Sequence, residues 1–267
     1  MSIVLKAAEL DAVLAGIGHV VVAVSGGVDS MTLAFAAHRR MGGRASMVHA
    51  VSPAVPPEAT ARVRAHAERH GWRLEVIDAG EFRDPDYLAN PANRCFFCKT
   101  NLYAAIAART SGVIVSGTNL DDLGDWRPGL EAARNYGVRH PFVEAGIDKA
   151  TVRALARHFG LDDLAELPAA PCLSSRLETG MPVSAERLRL VHAVERLVGR
   201  ELAPRTVRCR LFHDGVAIQM DEDALHRIRG PESAALRRAV EQLAGGPVRY
   251  EPYRMGSAFH RPATHGI

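Results

Sequence analysis

The sequence predicts an α/β protein: a parallel-sheet domain with helices on both faces, followed by a second, smaller α+β domain. Three observations carry this. From residue 4 to about 160, short apolar, β-branched runs alternate with segments of helical spacing, the pattern of a parallel sheet whose strands are buried on both sides. The stretch "AVSGGVDSM", residues 23–31, interrupts a buried-looking run with glycines, hydroxyls and a carboxylate. Beyond about residue 183 the pattern changes to a helix, a hairpin, two short helices and a last strand.

The elements follow in order. The first residues have a helical pattern, and His19–Val24 is short, apolar and β-branched, a fully buried strand. Met31–Arg40 has apolar residues at helical spacing and few β-branched ones. "RASMVHAV" is the next strand, Pro57–His70 a helix and "WRLEVIDA" a third strand. "NRCFFCK" fits a helix. "GVIVSGTN" is another strand, followed by a helical "LEAARNYG" and a short strand-like "VRHPFV". Leu161–Pro182 holds Pro168, Pro171 and Pro182 with little periodicity, a linker or active loop. Then come a helix over Ala185–Val198, a hairpin over Arg205–Met220 and a last strand near Val248–Tyr253. The expected organisation is a ligand-binding domain over 1–165, a cysteine-bearing loop over 166–183, a small α+β domain over 184–255 and a tail over 256–267.

Composition excludes several classes. A chain of 267 residues can bury a sizeable core, and 47% hydrophobic with 24% charged residues is ordinary for a soluble protein. A net charge of +3 without basic runs argues against a nucleic-acid partner. No apolar run reaches about 18 residues, so no membrane span is expected. No signal-peptide pattern, internal repeat or low-complexity segment is read, and a cytoplasmic location is expected. Four cysteines in such a chain suggest metal or chemistry more than disulfides.

At the "SGGVDS" turn, strand gives way to helix, where the first helical N–H groups have no internal partner and attract anions. Gly26 and Gly27 allow unusual backbone angles and close approach of a ligand; Ser25 and Ser30 can hold phosphate oxygens, and Asp29 can orient the loop or a Mg²⁺ ion. "GTNLDDLGDWRPG", residues 117–129, leaves the same edge of the sheet after its own strand. Thr118 and Asn119 lie at its start, Asp121, Asp122 and Asp125 could bind Mg²⁺, and Arg127 could steady a phosphate.

Cys95 and Cys98 are spaced to share one helix face. Cys172 stands in "APCLSSRLETG", with Arg176 close enough to favour its thiolate. These three suit either a zinc site with one open position or an iron–sulfur cluster with one non-cysteine corner. Cys209 alternates with Arg208 and Arg210 in "TVRCRLF", so it points to the opposite face and reads as a small buried residue. Two neighbouring guanidiniums suggest an anion between them, or else a solvated basic edge strand.

"SGGVDS" resembles the signature loop of the ATP pyrophosphatase (PP-loop) superfamily; it lacks the Gly-Lys-Ser/Thr of a Walker A loop. With "GTNLDDLGDWRPG", "PCLSSR" and "VRCR" in this order, the chain is identified as a member of the LarE family, over roughly residues 20–215. The resemblance implies the adenine nucleotide α-hydrolase-like fold. It also implies an ATP-dependent sulfurtransferase that adenylylates a carboxylate of pyridinium-3,5-biscarboxylic acid mononucleotide and replaces AMP with sulfur, on the way to the nickel-pincer nucleotide. ATP, Mg²⁺ and, for the three-cysteine type, a [4Fe-4S] cluster are the cofactors it implies. Cys172 matches the sulfur-bearing catalytic position, Cys95 and Cys98 the extra cluster ligands. Ser175, Arg176, Glu195, Arg208 and Arg210 match the substrate-phosphate region. For ATP the matching positions are Ser25, Gly26, Gly27, Asp29, Ser30, Thr118, Asn119, Asp122 and Arg127, with Asp122 and Asp125 for Mg²⁺. A small-molecule mononucleotide partner and a homo-oligomeric state are expected. The "RCFFC" pair departs from single-cysteine members, in which the cysteine gives up its own sulfur and becomes dehydroalanine.

Three rivals share parts of this pattern. A tRNA 2-thiolation enzyme has the loop, the C-x-x-C and a third cysteine, but the modest charge opposes it. An NAD synthetase-like enzyme has the loop and no need for three cysteines. A non-enzymatic nucleotide- or zinc-binding protein would explain each motif alone but not their order.

Overall fold

The structure, a computed structural model, describes residues 2–124 and 127–259. Two compact units result. One contains the residues up to Asp84 with Asn93–Ala170, the other Pro85–Ala92 with the residues from Pro171 onward.

In chain order the first unit begins with α1 (Ile3–Ala15), β1 (Val20–Ala23), α2 (Val28–Met41), β2 (Ala45–Ala50), α3 (Pro57–His70) and β3 (Leu74–Ile77). The chain then gives α4 (Pro85–Leu88) to the second unit and returns with α5 (Arg94–Ala107), β4 (Val113–Val115), α6 (Pro128–Asn135), α7 (Pro141–Glu144), α8 (Lys149–His158) and α9 (Asp162–Ala165). The four strands form one parallel sheet in the order β3-β2-β1-β4.

Side-chain alternation on β1 builds a core on each face. Val20 and Val22 pack in a core with Leu10 and Leu14 of α1, Met31 and Leu33 of α2 and Leu155 of α8. Val21 and Ala23 pack in a second core with Tyr103 and Ile106 of α5 and Ala132 and Ala133 of α6. Central position and burial on both sides explain why β1 reads as an unbroken apolar run.

Two sequence expectations need correction here. "VRHPFV" is not a strand: Arg139 makes one parallel bridge to Val115, and the helical turn α7 starts at Pro141. Pro141 has no N–H to extend a ladder but fits the first turn of a helix. The proline-rich stretch after Leu161 is also not wholly irregular, because it contains α9 and a 3₁₀ turn, Leu173–Arg176.

The second unit contains α10 (Ala185–Leu202), β5 (Val207–Phe212), β6 (Gly215–Met220), α11 (Glu222–Arg229), α12 (Ala234–Ala244) and β7 (Val248–Pro252). β5 and β6 are the expected hairpin, closing at Phe212 opposite Gly215, and β7 pairs parallel to β6. Ser184 caps α10 by accepting from the Arg187 amide at 3.2 Å. The segment 85–92 is bound to this unit by its backbone: the Val183 and Gly180 amides donate to the Leu88 and Asn90 carbonyls at 2.8 and 2.9 Å. Among the described residues no helix is long and apolar enough to cross a membrane.

Candidate functional site

Each unit holds part of the predicted constellation. In the first, β1 ends by donating from the Val24 amide to the Val48 carbonyl at 2.9 Å, and the chain turns into α2 through Ser25, Gly26 and Gly27. Ser30 stabilises this turn from within the helix. Its Oγ accepts from the Ser25 amide at 3.0 Å, lies 3.0 Å from Ser25 Oγ and donates to the Gly27 carbonyl at 3.2 Å. Gly26 has φ +85°, and a Cβ there would meet the Ala59 carbonyl oxygen at 2.8 Å. Gly117 permits a second close approach, since a Cβ on it would stand 2.7 Å from the Ser30 amide nitrogen. The loops after β1 and β4 therefore touch, as a shared ligand edge requires.

The carboxylates of these loops have partners. Asp29 accepts from Asn119 Nδ2 at 3.2 Å and pairs with Lys149 Nζ at 2.5 Å. Asp122 accepts from the Asn119 amide at 3.1 Å and pairs with Arg127 at 2.8 Å. Asp121 accepts from the Lys149 amide at 3.2 Å. Thr118 Oγ1 lies 3.0 Å from Ser116 Oγ, which in turn meets His140 Nδ1 at 2.9 Å. Burial pulls the His140 ring below its usual pKa, with Glu144 and Asp122 opposing. Asp125, expected as a Mg²⁺ ligand, lies outside the described residues.

Sequence reasoning missed Lys149, Arg62 and His49. Lys149 opens α8, with Asp148 capping the helix by accepting from the Thr151 amide at 2.8 Å. Arg62 Nη1 donates to the Gly26 carbonyl at 2.7 Å. His49, fully buried, bridges the Val24 carbonyl (Nδ1, 2.8 Å) and Thr60 Oγ1 (Nε2, 2.9 Å). No motif announces these residues: they reach the loop from α3, β2 and α8, through contacts distant in sequence.

Cys95 and Cys98 are one turn apart on α5, as expected. All four cysteines are thiols: Cys95 and Cys172 exposed, Cys98 half-buried, Cys209 buried. Among the described residues no group of three or more His, Cys, Asp and Glu side chains is gathered to hold a metal.

In the second unit the predicted residues converge. Arg176, 3% exposed, pairs bidentately with Glu195 at 2.9 and 3.0 Å. Its Nη1 reaches the Pro171 and Cys172 carbonyls at 2.6 and 3.1 Å. Ser175 Oγ donates to the same Cys172 carbonyl at 2.8 Å. Glu195 Oε1 also accepts from the Cys209 amide at 2.9 Å, which ties α10, β5 and the cysteine loop through one carboxylate. Arg210 Nη1 donates to the Ser175 carbonyl at 2.8 Å. Its further contacts, at 3.4 Å, are Gln219 Oε1 and the Arg254 carbonyl. The Arg208 guanidinium lies 5.9 Å from the centre of the Tyr253 ring. Burial and the neighbouring Arg176 charge pull both Arg208 and Arg210 below the usual arginine value. Burial raises the Cys209 thiol, which is thereby inert, as its alternation predicts. A solvated basic strand does not describe Arg210, which is 4% exposed.

No family model matches the chain. It is 36% identical over 210 residues, 77% of its length and 78% of the relative's, to the uncharacterized protein slr1717 of Synechocystis. The uncharacterized protein MJ0830 of Methanocaldococcus jannaschii is 24% identical over 208 residues, 76% of this chain and 78% of that one. A third relative, the pyridinium-3,5-bisthiocarboxylic acid mononucleotide synthase of Lactiplantibacillus plantarum, is 29% identical over 222 residues, 81% of this chain and 80% of its own.

Proposed function

We propose, for a chain that belongs to the same family as slr1717 of Synechocystis, an ATP-dependent sulfurtransferase acting on pyridinium-3,5-biscarboxylic acid mononucleotide. The observation that carries this reading is the arrangement around Cys172. Its exposed thiol sits on a loop held by Arg176 and Ser175, beside Arg210, a buried guanidinium that among the described residues meets only neutral oxygens. A buried guanidinium with no carboxylate in hydrogen-bond contact is costly, and an anionic ligand removes that cost. The likeness to the L. plantarum synthase supports a mononucleotide as that anion.

In this mechanism the Ser25–Ser30 loop and the first N–H groups of α2 hold the pyrophosphate of ATP. Thr118, Asn119 and Arg127 border the nucleotide, and Asp122 and Asp125 are the proposed Mg²⁺ ligands. With Asp122 engaged as a Mg²⁺ ligand, Arg127 would give up its present ion pair with that carboxylate and could turn to phosphate. A substrate carboxylate attacks the α-phosphorus, giving an acyl adenylate and pyrophosphate. Ser175, Arg176, Arg208 and Arg210 hold the substrate phosphate, while Glu195 keeps Arg176 in orientation. The Cys172 sulfur then attacks the acyl carbon and AMP leaves. A base then removes the Cα proton of Cys172 as the Cβ–S bond breaks, so the electron pair of that bond leaves with the thiocarboxylate and dehydroalanine remains.

In the cluster version of this reading, Cys95 and Cys98, one turn apart on α5, and Cys172 would be the three protein ligands of a [4Fe-4S] cluster. When bound, such a cluster supplies a replaceable sulfide that spares Cys172.

Anaerobic reaction with ATP and the biscarboxylate mononucleotide tests the proposal. AMP and pyrophosphate are expected in equal amounts; stoichiometric ADP overturns it. Intact mass then separates the sulfur sources. Loss of H₂S at Cys172, with activity kept in Cys95→Ala and Cys98→Ala, assigns the sacrificial route. Loss of iron, labile sulfide and sulfur transfer in each of the three variants, with adenylylation kept, assigns the cluster.

A further inference from the structure

We propose that Arg62 of α3 is a phosphate-binding residue that grips the pyrophosphate portion of the nucleotide held by the Ser25–Ser30 loop. The inference rests on the ATP reading above and adds a residue that no motif marks. α3 is built against the loop. A Cβ on Gly26 would meet the Ala59 carbonyl oxygen at 2.8 Å and the Ala59 Cβ at 3.0 Å, so the first turn of α3 lies on the loop's backbone. The same turn is braced to the end of β1 through Thr60, His49 and the Val24 carbonyl, with contacts of 2.9 and 2.8 Å. Arg62 therefore projects from a fixed support, which limits the entropy lost when it binds a ligand.

Among the described residues its charge has no carboxylate in contact. The half-buried guanidinium donates to the Gly26 carbonyl at 2.7 Å, and among the described residues no ion pair engages it. Other cations around these loops are neutralised: Lys149 by Asp29, Arg127 by Asp122 and Arg139 by Glu144. A guanidinium carries five N–H donors in a planar fork suited to two phosphate oxygens, and a single carbonyl uses one. The missing counter-charge beside an anion-cradling loop is a phosphate. The Gly26 contact aims the fork and leaves its remaining donors for the ligand.

Calorimetry on the full chain with Mg²⁺ tests this using three probes: ATP, inorganic pyrophosphate and AMP. Arg62→Ala is expected to weaken ATP and pyrophosphate about 10- to 100-fold, the range for charge-assisted hydrogen bonds, and AMP by less than about twofold. Arg62→Lys, which keeps the charge without the fork and replaces Arg62→Ala if that variant fails to fold, should recover part of the pyrophosphate affinity. Equal losses for AMP and pyrophosphate, or affinities unchanged in both variants, overturn the inference and leave the ATP reading standing. Wild-type protein that binds neither ATP nor pyrophosphate overturns the ATP reading and the inference with it.

Discussion

Gly26 and Glu195 each fix a different part of the predicted constellation, one in each compact unit. Gly26 combines a positive φ with a contact that leaves no room for a methyl group. Gly26→Ala is therefore expected to cost about 1–3 kcal/mol and to abolish nucleotide binding. Gly27→Ala, where the nearest atom to an added Cβ is Ser25 Oγ at 3.6 Å, should stay within about 1 kcal/mol of wild type. Urea denaturation of the two variants decides, and equal stability would show that the Gly26 turn relaxes. Glu195 neutralises Arg176 and accepts from the Cys209 amide. Its removal leaves a buried guanidinium unpaired, so Glu195→Ala should lose about 3–5 kcal/mol. Cys172→Ala should lose almost none, because that thiol is exposed. Thermal melts of both variants measure the contrast.

α3 shows what an element can do that its pattern does not announce. Its sequence has the spacing of an ordinary amphipathic helix, with Pro57 at the start and Gly71 in the left-handed conformation as a stop. The part of it that meets the glycine turn is its first two turns, through Ala59, Thr60 and Arg62. The brace through His49 makes stability depend on pH. Burial pulls the His49 ring below the 6.5 of a free imidazole, with the Val24 carbonyl contact opposing. The folded form thus prefers neutral His49, and the unfolded chain takes up the proton first as pH falls. This stabilisation is complete above about pH 6.5 and is lost as pH falls through that value toward the lowered folded pKa. The urea midpoint should drop between about pH 8 and about pH 5.5, with a smaller drop in His49→Gln. An unchanged slope in that variant would remove His49 from the account.

At the scale of the whole molecule, the Ser25–Ser30 loop and the arginine cluster belong to different compact units. Arg210→Ala is therefore expected to weaken the mononucleotide about 10-fold or more while leaving the ATP affinity within about twofold. Calorimetric titration with each ligand measures the split; equal losses would make the arginine structural. Much of the molecule was legible beforehand. β1 between two cores, the strand-to-helix turn at Ser25, the α5 thiol pair, the β5–β6 hairpin and the burial of Cys209 all follow from hydrophobic period and local backbone chemistry, which operate over a few residues. The short helix α7 in place of a strand turns on Pro141, a local signal that favours a helix start over a ladder. The affiliation of residues 85–92 with the unit after Pro171 had no such signal. Neither did Lys149 against Asp29, Arg62 on Gly26 or the joint use of Glu195 by Arg176 and Cys209. The sequence by itself determined most of the segments that are helix or strand, where the glycine turn falls and which chemistry-bearing side chains the chain carries, because periodicity and turn chemistry are local. Only the tertiary structure decided which charges are neutralised and which have no ion-pair partner among the described residues, because a counter-charge is found across space, by elements whose separation along the chain leaves no pattern to read.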